Sequence, residues 1–276
     1  MITIGVTSYN FRNHVASDIG IEQLFVPTAN LESQNNTDLI QDWTVRNKMK
    51  LNKAKTKVMI FNETVKYQFS TRIYIDNNLL DIIRETKLLG VQITSDLTWK
   101  KNTQMLVKKA YSRMTILRKL YGFHVPIVDL IRIYIIYIRS LLEQSCVVWH
   151  ISLTQEDSNK LERVQKVALR IILKDDYISY DHAIEQTKLE TLEARRVQLC
   201  LKFAQSCTKN ENTKWMFPVN IMKCTHKSQD HQQQCDCQLQ TRNREKYKVQ
   251  KARTDRLQNS SIPYMQRLLN MDNSDN

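Results

Sequence analysis

The chain has 276 residues, 42% of them hydrophobic, enough for one large domain or two small ones with a true core, and only 4 are glycine and 4 proline. So few chain-breakers argue against a many-turned β-sandwich, a glycine-rich phosphate-binding enzyme and a disordered linker protein, and leave a mainly α chain as the expectation. Lys and Arg number 41 against 28 Asp and Glu, a formal net charge of +13, which points to a polyanionic partner, nucleic acid before an acidic membrane surface.

Residues 1–30 show no sustained hydrophobic period and are expected to be irregular. Asn10, Arg12, Asn13, His14 and Asp18 interrupt any apolar core of a secretory signal, so the predicted location is intracellular, cytoplasmic or nuclear. From Leu31 the pattern turns helical, with Leu39, Ile40, Trp43 and Met49 as apolar points, until Leu51-Asn52-Lys53 turns the chain. Lys57–Phe61, Arg72–Ile75 and Leu88–Ile93 are short β-branched or aromatic runs between Asn-rich turns, and they predict a small antiparallel sheet.

From about Thr98 to Tyr121 a helical wheel places Leu106, Val107, Ala110, Met114, Leu117 and Tyr121 on one face, with Lys101, Lys108 and Lys119 opposite. The segment holds no acid, and its cations are Lys100, Lys101, Lys108, Lys109, Arg113, Arg118 and Lys119. Gly122 is expected to cap it, and Pro126 to open the next helix. That helix, expected to run to Val147, is apolar nearly all round, which predicts burial; Asp129, Arg132 and Arg139 keep it short of the roughly 20 apolar residues of a bilayer span, so no membrane partner is expected.

Thr154 and Asp157 resemble a capping box opening a third helix, with Leu161, Val164, Ala168, Ile171 and Ile172 inward and Arg163, Lys166, Arg170 and Lys174 outward. A fourth, from about Leu189 to Thr208, carries Arg195 and Arg196 with Leu192, Val197, Leu199, Leu201 and Phe203 as its apolar set. After Asn210 the composition shifts to Lys, Gln, Asn, Cys and His, which predicts a polar, basic linker over residues 211–258 and a docked tail over 259–276.

The order of short motifs is more specific than any one of them. Trp43-x3-Asn47, Met49-x-Leu51-Asn52-x2-Lys55-Thr56, Val58–Phe61, Lys87-Leu88-Leu89-Gly90-Val91, Asp96-Leu97-x-Trp99, Lys109-Ala110, Val148-Trp149-His150, Leu161-Glu162-x2-Gln165-Lys166-x-Ala168-Leu169-Arg170, Leu192-x2-Arg195-Arg196 and Asn259-Ser260-x-Ile262-Pro263-Tyr264 follow in register. Together they resemble the region beyond the catalytic palm of reverse transcriptases from non-LTR (LINE-type, jockey and CR1-like) retrotransposons. The resemblance covers roughly residues 31–210 and the tail. It implies an end-of-palm helix and small sheet over 31–97, a helical thumb and C-terminal domain over 98–210, and a grip on RNA or an RNA–DNA duplex.

Two departures qualify it. Asn102 stands where the family has His. The family's polymerisation also uses an aromatic-x-Asp-Asp box and a further carboxylate to hold two metals, and before Trp43 the only acids are the isolated Asp18, Glu22, Glu32, Asp38 and Asp42. No catalytic residue, resident metal or cofactor is therefore assigned. Tyr74-Ile75-Asp76-Asn77 imitates the box in outline but follows the Trp43 motif, where the family has a strand and turn, and Asp175-Asp176 reads as a solvated turn.

The residues assigned to phosphate contact are Lys100, Lys101, Lys108, Lys109, Arg113, Lys119, Arg163, Lys166, Arg170 and Lys174, since such faces hold the backbone of a nucleic acid without reading its sequence. Trp99, Tyr111 and Trp149 read as core at helical spacing before they read as base-stacking platforms. Cys224, His226, His231, Cys235 and Cys237 offer five zinc-competent ligands, but at a spacing unlike known fingers and inside a low-complexity stretch, so linker and zinc site both stay open. Alternatives to the nucleic-acid reading are a helical protein-interaction module, binding through apolar faces, and a decayed reading frame.

Overall fold

The computed structural model describes residues 3–7, 25–49, 51–52, 55–61, 72–220, 246–251 and 255–272. The chain is mainly helical with small two-stranded sheets, and it divides into two compact units, Met1–Asn102 and Thr103–Asn276.

In the first unit, helix α1 spans Phe25–Arg46, starting earlier than its apolar pattern suggests. Pro27 stands in its first turn, where a missing N–H costs nothing. The helix turns Thr37 and Thr44 inward and leaves Leu39, Trp43 and Val45 exposed, the reverse of the face read from hydrophobicity. It is tied to strand β3 (Tyr74–Ile75) by Gln34, whose amide donates to the Tyr74 carbonyl at 3.0 Å and accepts from the Tyr74 N–H at 2.9 Å.

Strand β1 (Thr3–Thr7) lies in the stretch expected to be irregular and pairs with β2 (Lys57–Phe61) in parallel, so the single antiparallel sheet is replaced by three separate pairs. β3 and β4 (Asn78–Leu79) form a hairpin around Asp76 and Asn77, both at positive φ, as a tight type I′ turn requires. That turn accounts for the Tyr-Ile-Asp-Asn imitation of an acidic box. The run Leu88–Ile93 is likewise no single strand: Leu89 (φ 48°) and Gly90 (φ 91°) turn the chain between β5 (Glu85–Leu88) and β6 (Val91–Thr94). Val58, Ile73, Ile75 and Leu80 close a small core with Leu51 and Ile60 packed against it. Asn102 is buried, and its side-chain carbonyl accepts from the Gln92 N–H at 3.1 Å, holding the hairpin.

Helix α2 spans Lys100–Gly122. Its left-handed terminator is His124 (φ 56°), not Gly122; the Val125 N–H bonds back to Leu120 and that of His124 to Tyr121, the two bonds of a Schellman ending. The next apolar run is not one helix. α3 (Ile127–Ile133) passes into a π-helical turn, Tyr134–Arg139, then α4 (Ser140–Glu143). An extended Gln144 and a left-handed Ser145 break it before the short α5, Cys146–Trp149. The expected all-round burial does not hold either: Leu130, Tyr134, Ile138, Leu141 and Leu142 are buried while Val128 and Ile136 are exposed, and an apolar run carries no mark for such breaks.

α6 (Gln155–Leu173) starts at the expected box: the Thr154 hydroxyl accepts from the Asp157 N–H at 3.2 Å and donates to the Asp157 carboxylate at 3.1 Å. α7 (Tyr180–Thr187), unforeseen in the sequence, is capped by Ser179, and α8 (Leu192–Lys209) by Thr191. Ile171 is only half-buried on α6, and the inward face includes the fully buried Gln165, a polar residue that an apolar reading passes over.

On α8 the inward stripe is Leu192, Arg196, Cys200, Ala204 and Cys207, not the expected apolar set, of which Leu192 alone is buried. Phe203 is 43% exposed. Phe203→Ala should therefore change stability by less than about 1 kcal/mol in urea unfolding, whereas an inward phenylalanine would cost about 3–5 kcal/mol.

Within the expected linker, Phe217 and Tyr247 are core residues, joined by the backbone bridge of Val219 to Tyr247. They pack with Cys200, Ala204 and Cys207 against Met265 and Leu269 of α10 (Ser261–Asp272), which follows the short α9 (Asp255–Gln258). The tail is thus docked on α8. Among the described residues no helix is long and apolar enough to cross a membrane.

Candidate nucleic-acid interface

Of the ten predicted contact residues, Lys100 and Lys101 belong to the first unit. Both are exposed, and Lys101 is engaged in a salt bridge with Glu85, which competes with any phosphate for its ammonium group. The other eight belong to the second unit.

Within it, Leu106, Ala110, Met114 and Leu117 of α2 are buried, so the helix is anchored by the expected stripe and presents Lys108, Lys109 and Lys119 to solvent. None of these three makes an ion pair with a described residue. Arg113 is half-buried: its guanidinium lies 4.5 Å from the centre of the Tyr137 ring and donates to the Tyr137 carbonyl at 2.5 Å.

Arg163, Lys166 and Arg170 on α6 are exposed, and so is Lys174, which stands just past the helix end at φ 45°. Spacings of three and four residues hold Arg163, Lys166 and Arg170 within about 60° of one another around the axis and spread them over roughly 10 Å along it. Three of the four cations lie over tyrosine rings: Lys166 over Tyr180 at 4.8 Å, Arg170 over Tyr177 at 5.1 Å and Lys174 over Tyr121 at 4.3 Å. A cation on a ring keeps its charge while losing side-chain freedom, so these groups are held outward in a row and less entropy is given up when a phosphate is bound. The packing of Lys174 on Tyr121 also brings the end of this row to the end of α2. The sequence offered no sign of the rings, because Tyr177 and Tyr180 come from the loop and helix after α6.

Behind the row lies a polar centre built on the fully buried Gln165 and Tyr134, with Tyr180 and Glu162 half-buried at its edge. Gln165 accepts from the Tyr134 hydroxyl at 2.6 Å and donates to the Tyr180 hydroxyl at 3.0 Å and to the Glu190 carbonyl at 2.8 Å. Glu162 accepts from Tyr180 and, at 3.1 Å, from the Leu192 N–H at the start of α8. Burial pushes both phenols well above their ordinary pKa, with the Glu162 charge adding to it, so both keep their protons and donate them within the network. The network locks α6 against α7, α8 and the π-helical turn, and so fixes the rigid side of the cationic row.

A second polar cluster surrounds Arg196, whose Nε donates to His150 Nδ1 at 3.2 Å and whose Nη2 donates to Ser158 at 3.4 Å. Burial, helped by the Arg196 charge, lowers the His150 pKa to about 4. Arg195, by contrast, joins Arg139 on the Glu143 carboxylate, at 3.2 and 3.1 Å. Trp149 is fully buried with its indole N–H on the Gln144 carbonyl at 3.1 Å, and Trp99 is buried too, so both are core residues. Asp175 and Asp176 sit in an exposed 3₁₀ turn. Among the described residues no three His, Cys, Asp or Glu side chains are grouped as metal ligands would be; Cys224, His226, His231, Cys235 and Cys237 lie outside the described residues.

No protein-family model, curated protein or solved structure matches the chain.

Proposed function

We propose that this chain grips RNA or an RNA–DNA duplex through phosphate contacts, without sequence preference and without polymerising by itself. In this reading residues 31–210 correspond to the post-palm, thumb-like and C-terminal region of a non-LTR retrotransposon reverse transcriptase. One observation carries it: a row of four exposed cations, three on α6 and Lys174 just past its end, with Lys166, Arg170 and Lys174 held over tyrosines and the row running to the end of an α2 that contains no acid. The motif order from Trp43 to Arg196 supports the ancestry, and Asp18, Glu22, Glu32, Asp38 and Asp42 are not paired as an acidic box would need.

The test is binding of the purified chain to a labelled structured RNA and to an RNA–DNA duplex over a salt series, with a primer-extension assay alongside. If about four phosphates are contacted, log K should fall with log salt at a slope of about −3 to −4, with no extension. Binding that ignores salt would refute phosphate contact, and metal-dependent extension would refute the argument from the carboxylates.

A second reading, a protein-interaction module, rests on α1, where Leu39, Trp43 and Val45 are 61%, 52% and 69% exposed. Docking through such an apolar face would persist at high salt, which separates the two readings in the same titration.

A further inference from the structure

Helices α5 and α8 meet through two matched rungs. Cys146 and His150 are one turn apart on and just beyond α5; Arg196 and Cys200 are one turn apart on α8. His150 bonds to Arg196 at 3.2 Å, and one turn away, in the antiparallel sense, that register sets the buried Cys146 opposite the buried Cys200. Both cysteines are buried, and the proposed function leaves both unused.

We propose that Cys146 and Cys200 form a reversible, peroxide-responsive disulfide that latches α5 to α8. The surroundings favour one sulfur as the attacking group. Arg196 is fully buried, keeps its charge there, and its Nη1 finds no partner among the described residues. With the Cys200 hydrogen bond first and this guanidinium helping, Cys146 is held below the usual thiol range, while the same hydrogen bond and burial push Cys200 up. α5 is four residues long and follows a left-handed Ser145, so opening it locally to admit a molecule as small as hydrogen peroxide disturbs little else.

The chemistry balances with peroxide as the oxidant. The Cys146 thiolate attacks one peroxide oxygen, the O–O bond breaks, and the departing hydroxide takes a proton to become water, leaving a sulfenic acid on Cys146. The Cys200 sulfur, giving up its proton, then attacks the Cys146 sulfur; the S–O bond breaks and the leaving hydroxide is protonated to a second water. Two thiols are oxidised and one peroxide is reduced.

The full chain is treated with hydrogen peroxide, unfolded with an alkylating agent present, digested and analysed by mass spectrometry. The expected product is a Cys146–Cys200 peptide pair two hydrogens lighter than the sum of the reduced peptides, released by dithiothreitol, with Cys207, buried on the same helix as Cys200, still alkylated. In Cys200→Ser, whose fold is checked by circular dichroism, the crosslink should vanish and Cys146 should instead be trapped by dimedone as its sulfenic acid. Cys146 and Cys200 both remaining alkylated in the treated wild-type chain would overturn the proposal, as would oxidation of Cys146 onto any other cysteine.

Discussion

Reversing the α6 row to glutamate, Arg163→Glu, Lys166→Glu, Arg170→Glu and Lys174→Glu together, should weaken RNA binding at least about a hundredfold at low salt and flatten its salt dependence. Every phosphate contact removed takes about 0.9 from the slope of log K against log salt, and a carboxylate in its place adds repulsion. The four side chains are exposed, so the cost to folding is confined to three cation–ring interactions of about 0.5–1 kcal/mol each. The control carries the same change of charge elsewhere: Lys202, Lys209, Lys248 and Lys251, all exposed, reversed to glutamate. If both quadruple variants lose affinity equally, the net charge of the chain attracts RNA and the row does not. If only the α6 variant loses it, the row is the contact surface.

Arg163, Lys166 and Arg170 are legible as a row in the sequence because their spacing is a property of the α-helix itself and the Thr154–Asp157 box marks where that helix begins, whereas Lys174 falls past the helix end, where that spacing no longer applies. Elsewhere the same reasoning failed for physical reasons. On α8 the buried stripe runs through Arg196, Cys200 and Cys207, so a search for apolar residues at helical spacing settled on Val197, Leu199, Leu201 and Phe203, which lie off that stripe. The hairpin at Leu88–Ile93 puts a leucine at φ 48°, where asparagine is the common choice, and a turn made of Leu-Gly reads as the middle of a strand. Parallel pairing of Thr3–Thr7 with Lys57–Phe61 links segments about fifty residues apart, and no local pattern encodes such a partner. The tyrosines beneath the cations are of the same kind, since tertiary packing brings them there.

Lowering the pH from 7.5 to 4.5 should destabilise the wild-type chain by about 2 kcal/mol more than His150→Gln in urea unfolding. His150 is 8% exposed, accepts a hydrogen bond from Arg196 at Nδ1 and meets the edge of Tyr264 with ring centres 6.2 Å apart. A proton on Nδ1 would abolish that acceptor and set a second positive charge against a guanidinium already enclosed in the core. The direction follows from the two states. Above about pH 6.5 neither folded nor unfolded chain holds the proton, and the full stability is present. Between there and the folded pKa of about 4 the unfolded chain takes up the proton and the folded chain does not, so stability falls as the pH falls. About two and a half pH units at about 1.4 kcal/mol each set the upper limit, and only part of it is reached by pH 4.5. Glutamine keeps an acceptor for Arg196 but cannot charge, so carboxylate titrations elsewhere cancel in the comparison. Equal losses in the two proteins would mean that His150 is protonated in the folded core, and that the Arg196 cluster tolerates the charge that its geometry forbids.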